Sequence, residues 1–108
     1  MARLPASLAV PALIRAVTGA GGFATVLARG ASAGSAFLLV CRRHGSPPTA
    51  WERLPSPAGP PVWRCAAEGE EAVSRFLERQ RRFDPDLWAV ELDVGEPQRF
   101  VEGFPPIP

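Results

Sequence analysis

The sequence predicts an α+β fold: a single domain with a mainly antiparallel sheet of about five strands and two helices, in the order α-β-β-β-β-α-β. Three observations carry this expectation. Two segments place apolar residues at helical spacing, one around Val10–Val17 and one around Val73–Leu77. Between and after them lie short runs rich in Val, Leu, Phe and Trp, of strand length. Gly- and Pro-rich stretches separate these runs.

In chain order, Val10, Leu13, Ile14 and Val17 fall at i, i+3, i+4 and i+7, the stripe of an amphipathic helix. Ser7 is the expected N-cap, which puts Pro11 in the first turn, where its missing N–H costs little. Gly19, Gly21 and Gly22 end the helix. They follow a helix rather than precede one, so they do not form a phosphate cradle.

Phe23 to Arg29 and Ala36 to Arg43 read as two strands, with Gly30–Gly34 as a hairpin connection. The unbroken run Phe37-Leu38-Leu39-Val40-Cys41 makes the second strand central, covered on both faces. After the turn His44–Pro48 come two short strands, Thr49 to Leu54 and Pro61 to Ala66, joined by a Pro-rich link. Their flanking prolines place both at sheet edges.

Glu70 to Arg82 is the clearest helix. Its first turn is acidic and its last basic, matching the helix dipole, and Glu71–Arg75 and Glu78–Arg82 are favourable i,i+4 pairs. Gln80 lies on its apolar face, either bonding a strand edge or meeting solvent. The turn Asp84-Pro85-Asp86 leads into an inner strand, Leu87 to Val94, which can pair parallel to a neighbour through a crossover. The domain is expected to span 1–108, with 96–108 an extended tail that Phe100, Val101 and Phe104 can dock.

A length of 108 residues fits one domain with an ordinary core and leaves no room for two. All 12 basic residues are Arg, with no Lys, Tyr or Asn, a bias of GC-rich coding that lowers the meaning of any Arg cluster. The net charge of +1 and pI of 7.9 give no general electrostatic pull toward nucleic acid or an acidic membrane. Arg3 and the apolar run to Ile14 imitate a secretory leader, but Pro5, Ser7, Pro11 and Arg15 interrupt it. No stretch approaches the ~20 apolar residues of a membrane helix. Cys41 and Cys65 read as small buried residues of a reducing cytoplasm.

Glu78–Trp88, ERQRRFDPDLW, is the least generic wording in the chain. Asp84 and Asp86 could hold a hard cation, yet only Asp93 stands near them in sequence, and an Asx turn explains them better. Arg75, Arg79 and Arg82 form one basic stripe, which with Arg42, Arg43 and a Trp could grip phosphates and stack bases. That helix nets only +1, four Arg against three Glu, so a solvated face is the better reading. Cys41 and His44 have a ligand-like spacing, but one His and two Cys make a minimal zinc set at best. Trp51 and Trp63 on Pro-flanked strands, with nearby Arg, have the composition of a protein-binding hot spot.

The run ERQRRFDPDLWAVEL, with the opening RLPASLAVPALIRAV, the segment AGGFATVLARG and Gly34-Ser35-Ala36, resembles a small alphaproteobacterial domain-of-unknown-function family, number 1491. The resemblance extends from Arg3 to about Asp93, and Phe83–Trp88 is its most specific part. It implies a stand-alone cytosolic domain and brings no activity, cofactor or catalytic residue. The loop Ala31–Ala33 lacks the acidic residues the resemblance leads one to expect, which argues against a metal site there.

The sequence therefore favours a non-enzymatic interaction module that binds a protein partner or a second copy of itself. Its expected surface is Trp51, Trp63, Arg75, Arg79, Arg82, Asp84 and Asp86. No catalytic, cofactor or metal residue is assigned. An RNA- or DNA-binding accessory protein is the alternative, and a small metal-binding or enzymatic domain the second. No membrane partner is expected, and the cytoplasm is the expected compartment.

Overall fold

The structure, a computed structural model, describes residues 4–34 and 36–104. Its elements are α1 (Ala6–Gly19), β1 (Phe23–Ala28), β2 (Phe37–Arg42), β3 (Thr49–Ser56), β4 (Gly59–Glu68), α2 (Glu70–Phe83), β5 (Trp88–Asp93) and α3 (Gln98–Glu102). The five strands form one sheet in the order β1-β5-β2-β3-β4. Every neighbouring pair is antiparallel except β2–β5, which runs parallel from Phe37↔Trp88 to Arg42↔Asp93. The predicted α+β class and order hold, with one short helix added.

The two long helices cover opposite faces. Ala6, Ala9, Val10, Leu13 and Val17 of α1 join Leu39, Cys41, Trp88, Val90 and Leu92 in one core. Val73 and Phe76 of α2 join Leu38, Val40, Ala50 and Ala89 in the other. The alternation of Leu38/Val40 with Leu39/Cys41 shows why β2 reads as a continuous apolar run: each face of the strand meets its own core.

Four expectations are corrected. First, β1 and β2 are not a hairpin, because β5 lies between them. β5 is nearly as apolar as β2 and is buried on both faces only in that central slot. Second, β3 is internal, and only β4 takes an edge. The Pro-rich link is itself hairpin, closing at Ser56↔Gly59 around a two-residue turn, Pro57-Ala58. Third, α1 starts at Ala6 after Pro5, with no side-chain cap, so Pro11 lies inside the helix. Loop carbonyls take over the capping: Ala6 N–H donates to the Gly34 carbonyl at 3.2 Å and Ser7 N–H to that of Ser32 at 3.0 Å. Fourth, the segment expected to be an extended tail contains α3, started by Pro97. Val101 and Phe104 are buried there, and the Phe104 ring meets Phe37 edge-on at 4.7 Å. The rest of that tail, 105–108, lies outside the described residues.

Candidate functional site

The FDPDLW turn is tied to its surroundings almost wholly through backbone groups. Asp84 accepts a hydrogen bond from the Asp86 N–H on Oδ1 at 3.1 Å, an Asx turn, and its carbonyl accepts from Leu87 N–H at 3.1 Å. The Asp86 carbonyl accepts from Ala31 N–H at 3.1 Å. Trp88 donates its backbone N–H to Ala36 at 3.0 Å and its indole N–H to the Ala31 carbonyl at 2.7 Å. The Arg29 guanidinium stands 5.4 Å from the Trp88 ring centroid. The loop after β1 thus clasps the turn, the start of β5 and the start of α1 together.

Beside this clasp, a groove of about 380 Å³ opens between the end of α2, the start of β2 and the β3–β4 hairpin. Glu52, Arg53, Gln80 and Asp84 line it over Leu38 and Leu87. Gln80 therefore marks a groove wall rather than the core. Glu52 is already engaged by Arg64 across the hairpin.

The residues singled out from sequence do not converge on one surface. Trp51 and Trp63 are half-buried against the α1-side core, their indole N–H groups donating to Thr49 Oγ1 at 2.9 Å and to the Phe104 carbonyl at 3.0 Å. Arg75, Arg79 and Arg82 line the exposed flank of α2, on the other side of the sheet. Two of these arginines are paired as the spacing predicts, Arg75–Glu71 at 3.7 Å and Arg82–Glu78 at 2.8 Å, and Arg79 lies 5.9 Å from the Phe76 ring centroid.

Cys41 and Cys65 are free, on β2 and β4 with β3 between them, roughly 10 Å apart at ordinary strand spacing. Burial, with the nearby Cys65 adding to it, pushes the Cys41 thiol up to about 12, so it stays protonated and inert. His44 occupies the turn after β2 at φ 53°. Among the described residues no three His, Cys, Asp or Glu side chains group as metal ligands.

Sequence reasoning missed one charged cluster. Arg42, at the end of β2, donates to both Glu70 oxygens at 2.6 and 2.7 Å, to Glu91 at 3.1 Å and to the Ser46 carbonyl at 3.2 Å. It fastens the first turn of α2 to the parallel strand pair. A lone Glu91 inside an apolar strand was the available signal, because a charge there needs a partner. The hydrogen bond from Arg42 holds the Glu70 carboxyl below its usual range. A lowered folded pKa gives stability that is complete above the unfolded value of about 4.5 and is lost as pH falls through the lower folded value. Glu70→Gln is therefore expected to be less stable than wild type at neutral pH, with the gap closing in acid. Urea midpoints on either side of that value check this, and a gap that persists in acid counts against it.

Finally, the sheet's two edges differ. β4 carries Pro60, Pro61 and Arg64 along its outer edge, devices that discourage strand pairing. β1, FATVLA, has neither a proline nor a charge. Ala24 and Val26 pack toward α1, while Phe23, Thr25 and Leu27 are exposed, Phe23 by 75%.

Fold and site define a small α+β domain, a mixed five-stranded sheet between helices, with a backbone clasp at one end and an apolar edge strand that is bare among the described residues. Residues 4–102 match the family described as Protein of unknown function (DUF1491), and the chain belongs to that family. It is similar to a protein from A. tumefaciens solved in solution, at 33% identity and TM-score 0.72, covering 88% of this chain and 89% of that one. It is also similar to a DUF1491 family protein from Caulobacter crescentus. The NMR structure of such a protein matches at 27% identity and TM-score 0.77, covering 93% and 94% of the two chains. A crystal structure matches at 26% identity and TM-score 0.81, covering 97% and 99%. No curated protein matches the chain.

Proposed function

We propose that this protein is a non-enzymatic interaction module that takes up an extended segment of another protein chain along β1. The observation that carries this reading is the β1 edge, bare among the described residues, a row of backbone donors and acceptors beside the exposed Phe23 and Leu27. Adding a strand to such an edge gives affinity through main-chain hydrogen bonds, and alternate side chains give selectivity. The Arg stripe on α2 supports nucleic-acid binding poorly, because Arg75 and Arg82 are each matched by a Glu one turn away. The cytoplasm fits the two free cysteines, and no helix among the described residues is long and apolar enough to cross a membrane.

A photo-crosslinking side chain at Thr25 tests the reading in cells. Capture of a protein chain is expected there, and its loss in a Phe23→Lys background. The same probe at Arg81, exposed on α2, is expected to stay silent. Equal capture at both positions, or none at Thr25, sinks the proposal.

A further inference from the structure

We infer that the chain seated on β1 is a second copy of this protein, paired antiparallel about a two-fold axis through Thr25. This rests on the reading of β1 as a docking edge and names its occupant. Two identical strands pair antiparallel with matching faces only when the axis passes through a residue, since opposed side chains must lie on the same face. The axis at Thr25 sets Phe23 of one copy opposite Leu27 of the other, twice by symmetry, and Ala24 opposite Val26. Thr25 meets Thr25 at the centre, a favourable cross-strand pair. The strand thus reads apolar–polar–apolar in both directions along its exposed side and is its own complement.

Charge favours the same occupant. β1 carries no charge, so two copies meet without like charges opposed. The chain nets only +1, so long-range repulsion between copies is slight. β4 is the poorer edge for such a dimer, because Pro60 and Pro61 lack the N–H groups a ladder needs at its start and Arg64 and Glu68 place charges along the rest.

Size sets the strength. The ladder between β1 and β5 shifts register between Val26 and Ala28, leaving Leu27 without a β5 partner, so the dimer ladder does not extend past the Phe23–Leu27 pairs. Five residues a side is short against the roughly 20–30 residues a side of a standard specific interface. The dimer is therefore reversible and concentration-dependent rather than obligate.

Cysteine placement reads the register directly. In a Cys65→Ser background, with Cys41 buried, Thr25→Cys is expected to form a disulfide-linked dimer under mild oxidation. Phe23→Cys alone and Leu27→Cys alone stay monomeric, while a mixture of those two variants gives the mixed dimer. Sedimentation of the wild type is expected to show mass rising from one chain, 11.6 kDa, toward two with concentration. Thr25→Arg, which opposes two like charges at the axis, abolishes the rise, and Val62→Arg on β4 does not. A wild type that stays monomeric at high concentration, with Thr25→Cys unlinked, overturns the inference. If the Thr25 photo-crosslinker then still captures a different chain, the interaction reading stands and only the identity of the occupant falls. If it captures nothing, both fall.

Discussion

Trp88→Ala is expected to remove about 3–5 kcal/mol of stability, the range for truncating a large buried aromatic side chain. Trp88 is only 4% exposed and sits at the start of β5, between α1 and the loop that follows β1. Its ring fills the α1-side core beside Val10 and Leu13, and its indole N–H holds the Ala31 carbonyl. Truncation loses the packing, opens a cavity and removes one of the two donors to that carbonyl, leaving the Gly34 N–H at 2.9 Å, which adds a smaller cost. A domain of this size has roughly 5–15 kcal/mol in total, so the variant stands near the folding threshold. Trp88→Phe separates the terms: it keeps most of the apolar volume and gives up the hydrogen bond, for about 1–2 kcal/mol. Urea unfolding followed by far-UV circular dichroism measures both. The effect should also reach the start of α1, since the same loop supplies the carbonyls that bond the Ala6 and Ser7 amides. Those two amides are expected to lose hydrogen-exchange protection in Trp88→Phe before the rest of α1 does. Unchanged protection there would show that the loop does not depend on Trp88 for its position.

How far the fold is legible in sequence depends on which forces act locally. α2 is plain because its apolar stripe, dipole-matched ends and i,i+4 pairs all repeat within one element. The double burial of β2 is plain because a strand with a core on each side has no polar residues to show. The insertion of β5 between β1 and β2 is hidden, because nothing in the Gly30–Gly34 connection says which strand will fill the slot. That choice is made by apolar residues some fifty positions away in sequence, where β5 offers two buried faces and β1 only one.

The candidate site follows the same division. The Asx turn at Asp84 and the helix pairs of Arg75 and Arg82 are local, and the spacing shows them. The bridge from Arg42 to Glu70 and Glu91 spans three elements, and only the parallel register of β2 on β5 brings it together. The bare edge is hidden for a related reason. FATVLA reads equally well as an inner or an outer strand, and only the strand order leaves it outside. Trp51 and Trp63 show the converse: their type suggested a binding surface, while Phe104, which the segment after α3 brings against the sheet, supplies the carbonyl that Trp63 bonds at the edge of a core.

Gly30→Ala is expected to be the most damaging single-methyl change in the chain, costing about 3 kcal/mol. A Cβ at this position would lie 2.0 Å from the Asp86 carbonyl oxygen, 2.7 Å from its carbon and 2.8 Å from the Leu87 carbonyl carbon. All three are backbone atoms of the turn into β5, so no side chain can swing aside. The loop must instead lift from the turn, which breaks the Ala31–Asp86 hydrogen bond and moves the carbonyl that Trp88 holds. Gly30 is thus required by the close approach of two backbones. Gly19→Ala is the matched control: nothing stands within 4 Å of its added methyl at the end of α1, and the change should be neutral or stabilise by up to about 1 kcal/mol. Thermal unfolding of the two variants should shift in opposite directions or leave Gly19→Ala unmoved, and equal losses would mean that the loop is not seated on the turn. Because Gly30 and Trp88 act on one clasp, Gly30→Ala combined with Trp88→Phe is expected to cost clearly less than the sum of the two. Strict additivity would show that the two residues hold separate parts of the fold.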